Sequence, residues 1–420
     1  MANCMQPIDI VILANGPGEL ITWVRPVVKH LAGILSSETS FRISVLLSPC
    51  PHSTGREAEI ASSYAEVDRV LAASDFFNFL LWGKTKDNWQ WHKRGIVVFL
   101  GGDQFYTVLV SKRLNYSSLI YAEWDARWYR FIDRFAARNQ KVIEKIPAAY
   151  RHKFTIVGDL MADVALEAKH LSPSESKSPQ IGLLVGSKPA KLSQGVPLCM
   201  AIAQIIQQQQ PQVKFVIPVA PTLKLSTIAR YANPDDNRLI SSLGNVSGKI
   251  IKDSNSQTSY LTTSGGTKIQ LITEFPAYKT TIGCQICLTT VGANTAELTA
   301  LKVPMIVLLP TQQLDAMRSW DGLPGILANL PGVGTISAKL INWLVLKQKK
   351  LFAWPNIWAG TEIVPELVGK LQPEEIAELV LDYLEHPERL QAMRERLDSV
   401  RGVPGAAKQI ADTIKQIIKT

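Results

Sequence analysis

The chain has 420 residues, more than one ordinary hydrophobic core uses, so two domains are expected. Of these residues 46% are hydrophobic and 19% are charged, and no apolar run approaches the ~20 residues of a membrane-spanning helix. The net charge of +9 favours anionic partners. Lys and Arg are scattered and no recognised nucleic-acid-binding module is present, so nucleic acid is not an expected partner.

The chain opens with a pattern typical of a doubly wound α/β domain. Residues Ile8–Ala14 are an apolar run, interpreted as a first strand and not as a secretory signal, because no basic residue precedes them. A glycine loop and a helical pattern follow. Gly16 and Gly18 let a ligand approach the loop backbone closely. Glu19 fits equally a first-turn carboxylate favoured by the helix dipole and a ligand to a polar substrate.

Residues 74–94 form an unusual aromatic segment. Burial in a core would explain any single aromatic side chain. Their clustering beside Lys84, Lys86, Lys93 and Arg94 favours a surface that meets a bilayer or a lipid. The residues assigned to this membrane face are Phe76, Phe77, Phe79, Trp82, Trp89 and Trp91.

A second candidate loop follows the buried strand Ile96–Leu100. The strand ends in two glycines and Asp103, at the carboxyl edge where α/β sites lie. An ordinary aspartate at this place would cap the next helix, and that alternative stays open.

The second half begins after a Ser- and Pro-rich stretch. Residues Ile181–Val185 are a predicted strand, with Ser187 and Lys188 in the loop at its end. Residues 288–310 read as strand, glycine turn at Gly292, helix and strand. Asn294 is the predicted helix cap, with Glu297 three residues later as in a capping box. The same helix start could instead hold a nucleotide diphosphate, with the ribose hydroxyls on Glu297.

The motifs IGLLVGS, VGANTAELTALKVPMIVL and PNIWAGTEIVPEL, in this order, resemble lipid-A-disaccharide synthase. That family contains inverting glycosyltransferases of the GT-B fold, which join 2,3-diacylglucosamine from a UDP carrier to 2,3-diacylglucosamine 1-phosphate. The likeness spans nearly the whole chain and is most specific at Pro355–Leu367.

The resemblance implies roles for individual residues. Asp103 falls on the aspartate proposed as the base, and Gly18 and Glu19 fall on a Gly-Asp pair of the family's first loop. Lys188 falls on an arginine, which keeps the charge but not the bidentate fork. The expected acceptor-side residues are Asn15, Gly16, Gly18 and Glu19. The expected donor-binding residues are Ser187, Lys188, Gly292, Asn294, Thr295, Glu297, Asn356, Gly360 and Glu362.

The expected fold is α/β, a GT-B arrangement of two Rossmann-like doubly wound parallel-sheet domains facing a central cleft, with a helical C-terminal tail. The acceptor-side domain is expected at residues 1–170, the linker at 171–180 and the UDP-sugar domain at 181–385, with a flexible insertion at about 233–267. Helices at 386–420 complete the chain, and their return to the N-terminal domain is left open.

The expected activity is metal-independent, inverting transfer of a glucosamine, acylated or not, from a UDP donor to a lipid-linked sugar acceptor. No cofactor and no metal are expected, because the chain lacks an Asp-x-Asp motif. The alternatives are a UDP-sugar enzyme of the same fold such as a 2-epimerase, and a non-catalytic UDP-sugar-binding relative. An anionic membrane surface is an expected partner and a homodimer is left open. The expected location is cytoplasmic, peripheral on the inner face of the cytoplasmic membrane.

Overall fold

The computed structural model describes residues 7–35, 40–50, 53, 55–171, 178–253, 256–310 and 351–419. The chain divides into two compact units, Met1–Lys169 with Gly402–Thr420, and His170–Arg401. Of the predicted linker at 171–180, residues 172–177 lie outside the described residues. Within the described ranges, no helix is both long and apolar enough to cross a membrane.

The first unit is built on a parallel sheet with the strand order β3-β2-β1-β4-β5-β6-β7. Its strands are β1 (Ile8–Ala14), β2 (Phe41–Leu47), β3 (Arg69–Leu71), β4 (Arg94–Phe99), β5 (Ser117–Ala122), β6 (Arg134–Ala137) and β7 (Phe154–Ile156). Its helices are α1 (Pro17–Glu19), α2 (Arg25–Leu35), α3 (Glu57–Ser62), α4 (Phe76–Trp82), α5 (Gln104–Leu114), α6 (Gln140–Glu144), α7 (Val164–Ala168) and α15 (Ala406–Lys419). A π-helical turn, Leu20–Val24, joins α1 to α2.

Strand β1 lies inside this sheet, and all seven of its residues are buried, as expected for a parallel strand whose two faces are covered by helices. Its one charged residue, Asp9, is compensated. The Asp9 carboxylate pairs with Arg42 at 2.7 Å and accepts a hydrogen bond from the Tyr116 hydroxyl at 2.8 Å. Because Asp9 lies near the amino end of β1, this pair supports the fold and lies away from the carboxyl edge of the sheet.

The last helix, α15, packs in the core of the first unit. Ile410 and Ile414 are fully buried on its apolar face, in one cluster with the residues of α2. The start of the helix is held by the Asp163 carboxylate, which accepts hydrogen bonds from the backbone N–H groups of Gly405, Ala406 and Ala407. A carboxylate on free N–H groups at a helix start stabilises that helix.

The second unit is built on a mixed sheet with the strand order β10-β11-β12-β9-β8-β13-β14-β15. Its strands are β8 (Gln180–Leu184), β9 (Lys214–Pro218), β10 (Gly248–Lys252), β11 (Ser259–Thr263), β12 (Lys268–Ile272), β13 (Ile286–Thr290), β14 (Met305–Pro310) and β15 (Glu366–Gly369). Its helices are α8 (Pro189–Gln209), α9 (Leu225–Ala232), α10 (Tyr278–Ile282), α11 (Ala293–Ala300), α12 (Trp354–Ala359), α13 (Pro373–Glu385) and α14 (Pro387–Val400).

The segment at 233–267, predicted as a flexible insertion, contains regular structure in the described residues. Strands β10 and β11 pair antiparallel, with Ile250 opposite Leu261, and β11 pairs in turn with β12. Leu261 is fully buried in the core of the second unit. These strands were not predicted because the segment is polar. In β10 and β11 buried and exposed side chains alternate only weakly, so the sequence lacks a clear strand pattern.

Each sheet contains a point at which successive parallel strands lie on opposite sides of one strand. In the first sheet the chain runs from β1 to β2 on one side and returns to β4 on the other side of β1. In the second sheet β9 and β13 lie on opposite sides of β8. Such topological switch points open a crevice at the carboxyl ends of the strands, which is where open α/β sheets bind ligands.

Candidate functional site

The switch point of the second unit brings two glycine loops together. Strands β8 and β13 are parallel neighbours, with Leu184 opposite Thr289, so the loops after them leave the same edge of the sheet. Gly186 has φ +84° and Gly292 has φ +137°, values that favour glycine. Ser187 and Lys188, both half-buried, lie in the first loop, and α8 begins directly after them. Both residues therefore lie in the loop at the end of β8, as the sequence predicted, and their role in donor binding stays a prediction.

A lysine that the sequence analysis missed joins the two loops. Lys191 lies in the first turn of α8, and its Nζ donates a hydrogen bond to the backbone carbonyl of Val291. A Cβ atom at Gly292 would lie 2.8 Å from that Nζ, and the positive φ of Gly292 favours glycine there as well. Burial, with the like charge of Lys188, lowers the pKa of Lys191 to about 8. The signal available in the sequence was its spacing of three residues from Lys188, which puts both on one side of a helix start.

The start of helix α11 differs from its prediction. The cap residue is Gly292, and Asn294 lies inside the helix, so the predicted Asn294 cap is wrong. The Thr295 hydroxyl instead donates to the Gly292 carbonyl at 2.9 Å and accepts from the backbone N–H of Trp354 at 3.2 Å. Thr295 is fully buried, whereas Asn294 and Glu297 are half-buried at the helix start.

Asn356, predicted to contact the nucleotide, is committed to the protein. Its amide nitrogen donates to the Val364 carbonyl at 2.9 Å and to a Glu366 oxygen at 2.7 Å. Its amide oxygen accepts from the N–H groups of Ile363 at 2.7 Å and Val364 at 2.9 Å. An amide has two donors and two acceptor positions, so nothing remains for a ligand. We therefore correct the prediction: Asn356 is a fully buried residue that shapes the loop.

The other two residues of this motif are accessible. Gly360 ends α12 in the left-handed conformation, with φ +70°, and is exposed. Glu362 is also exposed, two residues further along the loop that Asn356 supports.

The switch point of the first unit brings together the loop of the predicted acceptor-side residues and the loop that contains Asp103. A Cβ atom at Gly101 would lie 3.0 Å from Glu19 Cγ and 3.4 Å from Asn15 Oδ1, so the loops after β1 and β4 touch. The buried Oδ1 of Asn15 has no hydrogen-bond partner in the described part of the chain. Gly16 and Gly18 precede the π-helical turn, a feature often found at functional sites.

Asp103 lies at the same edge and is exposed. Its Oδ1 accepts a hydrogen bond from the backbone N–H of Phe105 at 2.9 Å, and it is the N-cap of α5. The helix-capping role considered in the sequence analysis is thus present. Exposure also leaves the carboxylate open to a substrate, and its role as a base stays a prediction.

A second carboxylate at this edge was not among the predicted site residues. Glu123 follows β5 and is half-buried. Burial, with the like charge of Asp159, raises the pKa of Glu123 to about 7, and Arg138 opposes this rise. Arg138 forms an ion pair with Asp159 at 2.6 Å. A carboxyl with a pKa near neutrality can both accept and donate a proton, which suits acid–base chemistry.

The predicted membrane face is divided by helix α4. Phe76 and Phe79 are fully buried in the core of the first unit, so their assignment to a membrane face is wrong. Their spacing of three residues puts them on the inner side of the helix. The prediction overlooked this spacing because the segment contains many aromatic residues. Phe77 and Trp82 are exposed, at 48% and 71%.

The two remaining aromatic residues of that face are half-buried. Trp89 and Trp91 lie against the Arg69 guanidinium, which is 4.3 Å and 4.4 Å from their ring centroids. Only part of the surface of each ring is therefore accessible to a membrane. Arg69 therefore fixes these rings to the fold.

The exposed aromatic surface extends beyond the predicted segment. Phe77 contacts Tyr106 of α5, with ring centroids 6.3 Å apart, and Phe105 contacts Trp128 at 4.7 Å. Beside them is an open pocket of about 510 Å³. Its lining residues are Arg127, Trp128, Tyr129, Arg130, Phe131, Pro147 and Tyr150.

The described residues contain no group of three or more His, Cys, Asp or Glu side chains arranged to hold a metal ion.

No family model matches the chain. It is 23% identical over 230 residues to a lipid-A-disaccharide synthase of Nitrosococcus oceani, a match that covers 54% of this chain and 45% of that protein. It is 25% identical over 246 residues to a lipid-A-disaccharide synthase of Syntrophus aciditrophicus, covering 57% and 49%. The chain spans about half the length of these curated relatives.

A solved structure with a similar fold is the UDP-GlcNAc 2-epimerase of Neisseria meningitidis bound to UDP-GlcNAc. The TM-score is 0.52, with 15% identity over 98% of this chain and 100% of that chain. At this identity the likeness shows the fold. The predicted fold class, GT-B with two Rossmann-like α/β units and a helical C-terminal region, is confirmed, and the chain is similar to UDP-sugar enzymes of this fold.

Proposed function

We propose that this protein is a glycosyltransferase that moves a glucosamine from a UDP carrier to a lipid-linked sugar, as lipid-A-disaccharide synthase does. The observation that carries the proposal is the pair of glycine loops at the switch point of the second unit. They bring Lys188 and the start of α11 to one edge. Backbone N–H groups at a helix start and a nearby cation are the groups that bind a diphosphate. The names of the relatives from Nitrosococcus and Syntrophus support the choice of reaction.

The proposed reaction is a single displacement. The acceptor hydroxyl attacks the anomeric carbon of the donor, the new C–O bond forms as the bond to UDP breaks, and the electron pair leaves with UDP. Asp103 takes the hydroxyl proton as general base. The backbone N–H groups near Gly292 and the cation stabilise the charge that develops on the leaving diphosphate. Attack from the opposite face inverts the anomeric centre. The chain needs no metal in this proposal.

The proposed acceptor is a lipid drawn from an anionic membrane surface at the inner face of the cytoplasmic membrane. Leu81 and Trp82 at the end of α4 are 63% and 71% exposed, and Lys84 and Lys86 follow them. Exposed aromatic and aliphatic side chains enter the bilayer interface, and lysines beside them attract anionic lipids.

The first test is a thermal-shift titration with UDP, UDP-GlcNAc and a UDP-glucosamine that carries acyl chains. A ligand that binds the native state raises its apparent stability, so the shifts rank the donors. The largest shift is expected for the acylated donor. Larger shifts with plain UDP-sugars would reject the lipid-A-like reaction, and no shift with any of the three would reject the nucleotide site.

Turnover separates the proposed activity from its alternatives. Incubation with the UDP-linked glucosamine donor and a lipid-linked glucosamine 1-phosphate acceptor is expected to yield UDP and a lipid-linked disaccharide. Conversion of the donor alone would indicate a 2-epimerase. Tight UDP binding without turnover across a panel of acceptors would indicate a non-catalytic relative.

A further inference from the structure

We infer that Lys191 binds the diphosphate of the nucleotide directly and supplies a second cation beside Lys188. The inference rests on the proposed function and adds a residue to its site. The Lys191 side chain crosses from α8 to the loop after β13 between two glycines. A Cβ atom at Gly186 would lie 2.9 Å from Lys191 Cδ, and one at Gly292 would lie 2.8 Å from its Nζ. The absence of a Cβ atom at both positions thus leaves room for the lysine side chain.

The position of the two lysines is unfavourable without an anion. Lys188 is the cap residue of α8 and Lys191 lies in its first turn, where the helix dipole disfavours positive charge. The first turns of α8 and α11, both fully described, contain no acidic residue. Two half-buried like charges also repel each other. A bound diphosphate would reverse each of these costs, because it brings negative charge to two helix starts and two ammonium groups.

The hydrogen-bonding capacity of the site is also incompletely used. An ammonium group has three protons, and within the described residues Lys191 Nζ contacts the Val291 carbonyl. The hydroxyl of Thr290, the residue before Val291, is buried and has no partner in the same part of the chain. A Cβ atom at Gly186 would lie 3.2 Å from that hydroxyl, so Thr290 and Lys191 border the same space. Phosphate oxygens would accept hydrogen bonds from both.

A purely structural role for Lys191 is the competing explanation, since its bond to Val291 could simply brace the loop. The two roles predict different ligand dependence. A diphosphate contact matters for UDP far more than for UMP, whereas a brace affects both nucleotides alike. The ratio of the two dissociation constants therefore distinguishes them.

The experiment is isothermal titration calorimetry of the full chain with UDP and UMP. The variants are Lys191→Met, which keeps the aliphatic stem, and Lys191→Arg, which keeps the charge. We expect Lys191→Met to weaken UDP binding by about 10- to 100-fold, the size of a charge-assisted hydrogen bond, and UMP binding by less than about 3-fold. Lys191→Arg is expected to retain most of the UDP affinity. Lys249→Met, an exposed lysine on β10, is the matched control and is expected to bind like wild type.

Lys191→Gln keeps a donor for the Val291 carbonyl without the charge, and it covers the case that Lys191→Met does not fold. Its UDP affinity is expected to fall as for Lys191→Met. Unchanged UDP affinity in the folded variants, or equal losses for UDP and UMP with a lower unfolding temperature, would overturn the inference. Failure of the wild-type protein to bind any uridine nucleotide would instead overturn the proposed function, and the inference with it.

Discussion

Arg138 and Asp159 form an ion pair at the carboxyl edge of the first sheet, with 2.6 Å between Nη2 and Oδ2, and both side chains are buried. The Arg138 guanidinium also lies 4.8 Å from the ring centroid of Trp124, the residue after Glu123. The pair is thus next to the carboxyl whose pKa is raised. The negative charge of Asp159 raises the pKa of Glu123 and the positive charge of Arg138 lowers it. Burial, the largest cause, leaves that pKa at about 7.

The first prediction concerns Glu123 and pH. Its pKa is higher in the folded chain than its ordinary value of 4.5, so between these values the folded state holds more protons than the unfolded state. The contribution of Glu123 to the free energy of unfolding is therefore fully present below the ordinary pKa. That contribution is lost as pH rises through the pKa of the folded state. The Glu123→Gln side chain stays neutral at every pH. As pH rises, the free energy of unfolding of this variant should therefore fall less than that of wild type, by on the order of 2 kcal/mol after allowance for partial exposure. Denaturant unfolding near pH 5 and near pH 8 measures the difference.

The control for this prediction is Glu144→Gln, which changes an exposed carboxylate of the same unit. It should follow the pH dependence of wild type. Equal slopes for all three proteins would mean that Glu123 titrates as it does in the unfolded chain.

The second prediction separates the two roles of Asp103. Asn and Ser both cap helices well, so Asp103→Asn and Asp103→Ser should unfold within about 0.5 kcal/mol of wild type. Neither can act as a base, so turnover should fall by about 10²- to 10⁴-fold. Asp103→Ala should show the same loss of turnover and in addition lose about 1 kcal/mol of stability. Turnover close to wild type in Asp103→Asn would leave Asp103 with its capping role alone.

The third prediction concerns the exposed end of α4. The double variant Leu81→Ser and Trp82→Ser should weaken binding to vesicles of anionic lipid by at least about 10-fold, because each apolar side chain gains about 1.5–3 kcal/mol on burial. Stability should not change, since both side chains are mostly exposed. Cosedimentation measures binding. Ile251→Ser, an exposed apolar residue of the second unit, is the control, and equal binding by both variants would reject the membrane face.

The fourth prediction concerns the docking of α15 through Asp163. Asp163→Ala leaves the N–H groups of Gly405, Ala406 and Ala407 without their acceptor and should cost about 2–4 kcal/mol. Hydrogen exchange of the α15 amides should speed up accordingly. Lys408→Ala, an exposed change on the same helix, should leave that exchange unaltered. Unchanged protection in Asp163→Ala would show that the apolar face holds the helix without this carboxylate.

The fold and the sheet edges at which the candidate loops lie were predictable from the sequence because both depend on local patterns. Apolar runs followed by glycines mark strand ends, and parallel strands bring those ends together. The positions of Gly292 and Asp103 after strands and before helices were predicted in this way. The pattern carries no information on contacts between distant segments, which is why Lys191, 100 residues from its partner Val291, was missed.

The incorrect assignments share a cause of the same kind. Asparagine is a residue type that often binds ligands. The four hydrogen bonds of Asn356 nevertheless go to a loop whose path only the folded chain defines. The helix cap was predicted at Asn294 and lies at Gly292, because the backbone of Gly292 takes a conformation that a sequence does not reveal. Phe76 and Phe79 were misassigned because aromatic density was given more weight than helical spacing.

The route of the chain through its two units has a consequence for synthesis. The first unit includes both the opening residues and α15, with residues 170–401 between them. On a ribosome the strands of the first sheet emerge before residues 170–401, whereas α15, which packs with α2, β4 and β5, emerges after them. The apolar face that awaits α15 must therefore stay uncovered, or be shielded by a chaperone, until the whole second unit has been made. Truncation within α15 should accordingly expose the core of the first unit, whose strands all lie before residue 170 in the sequence.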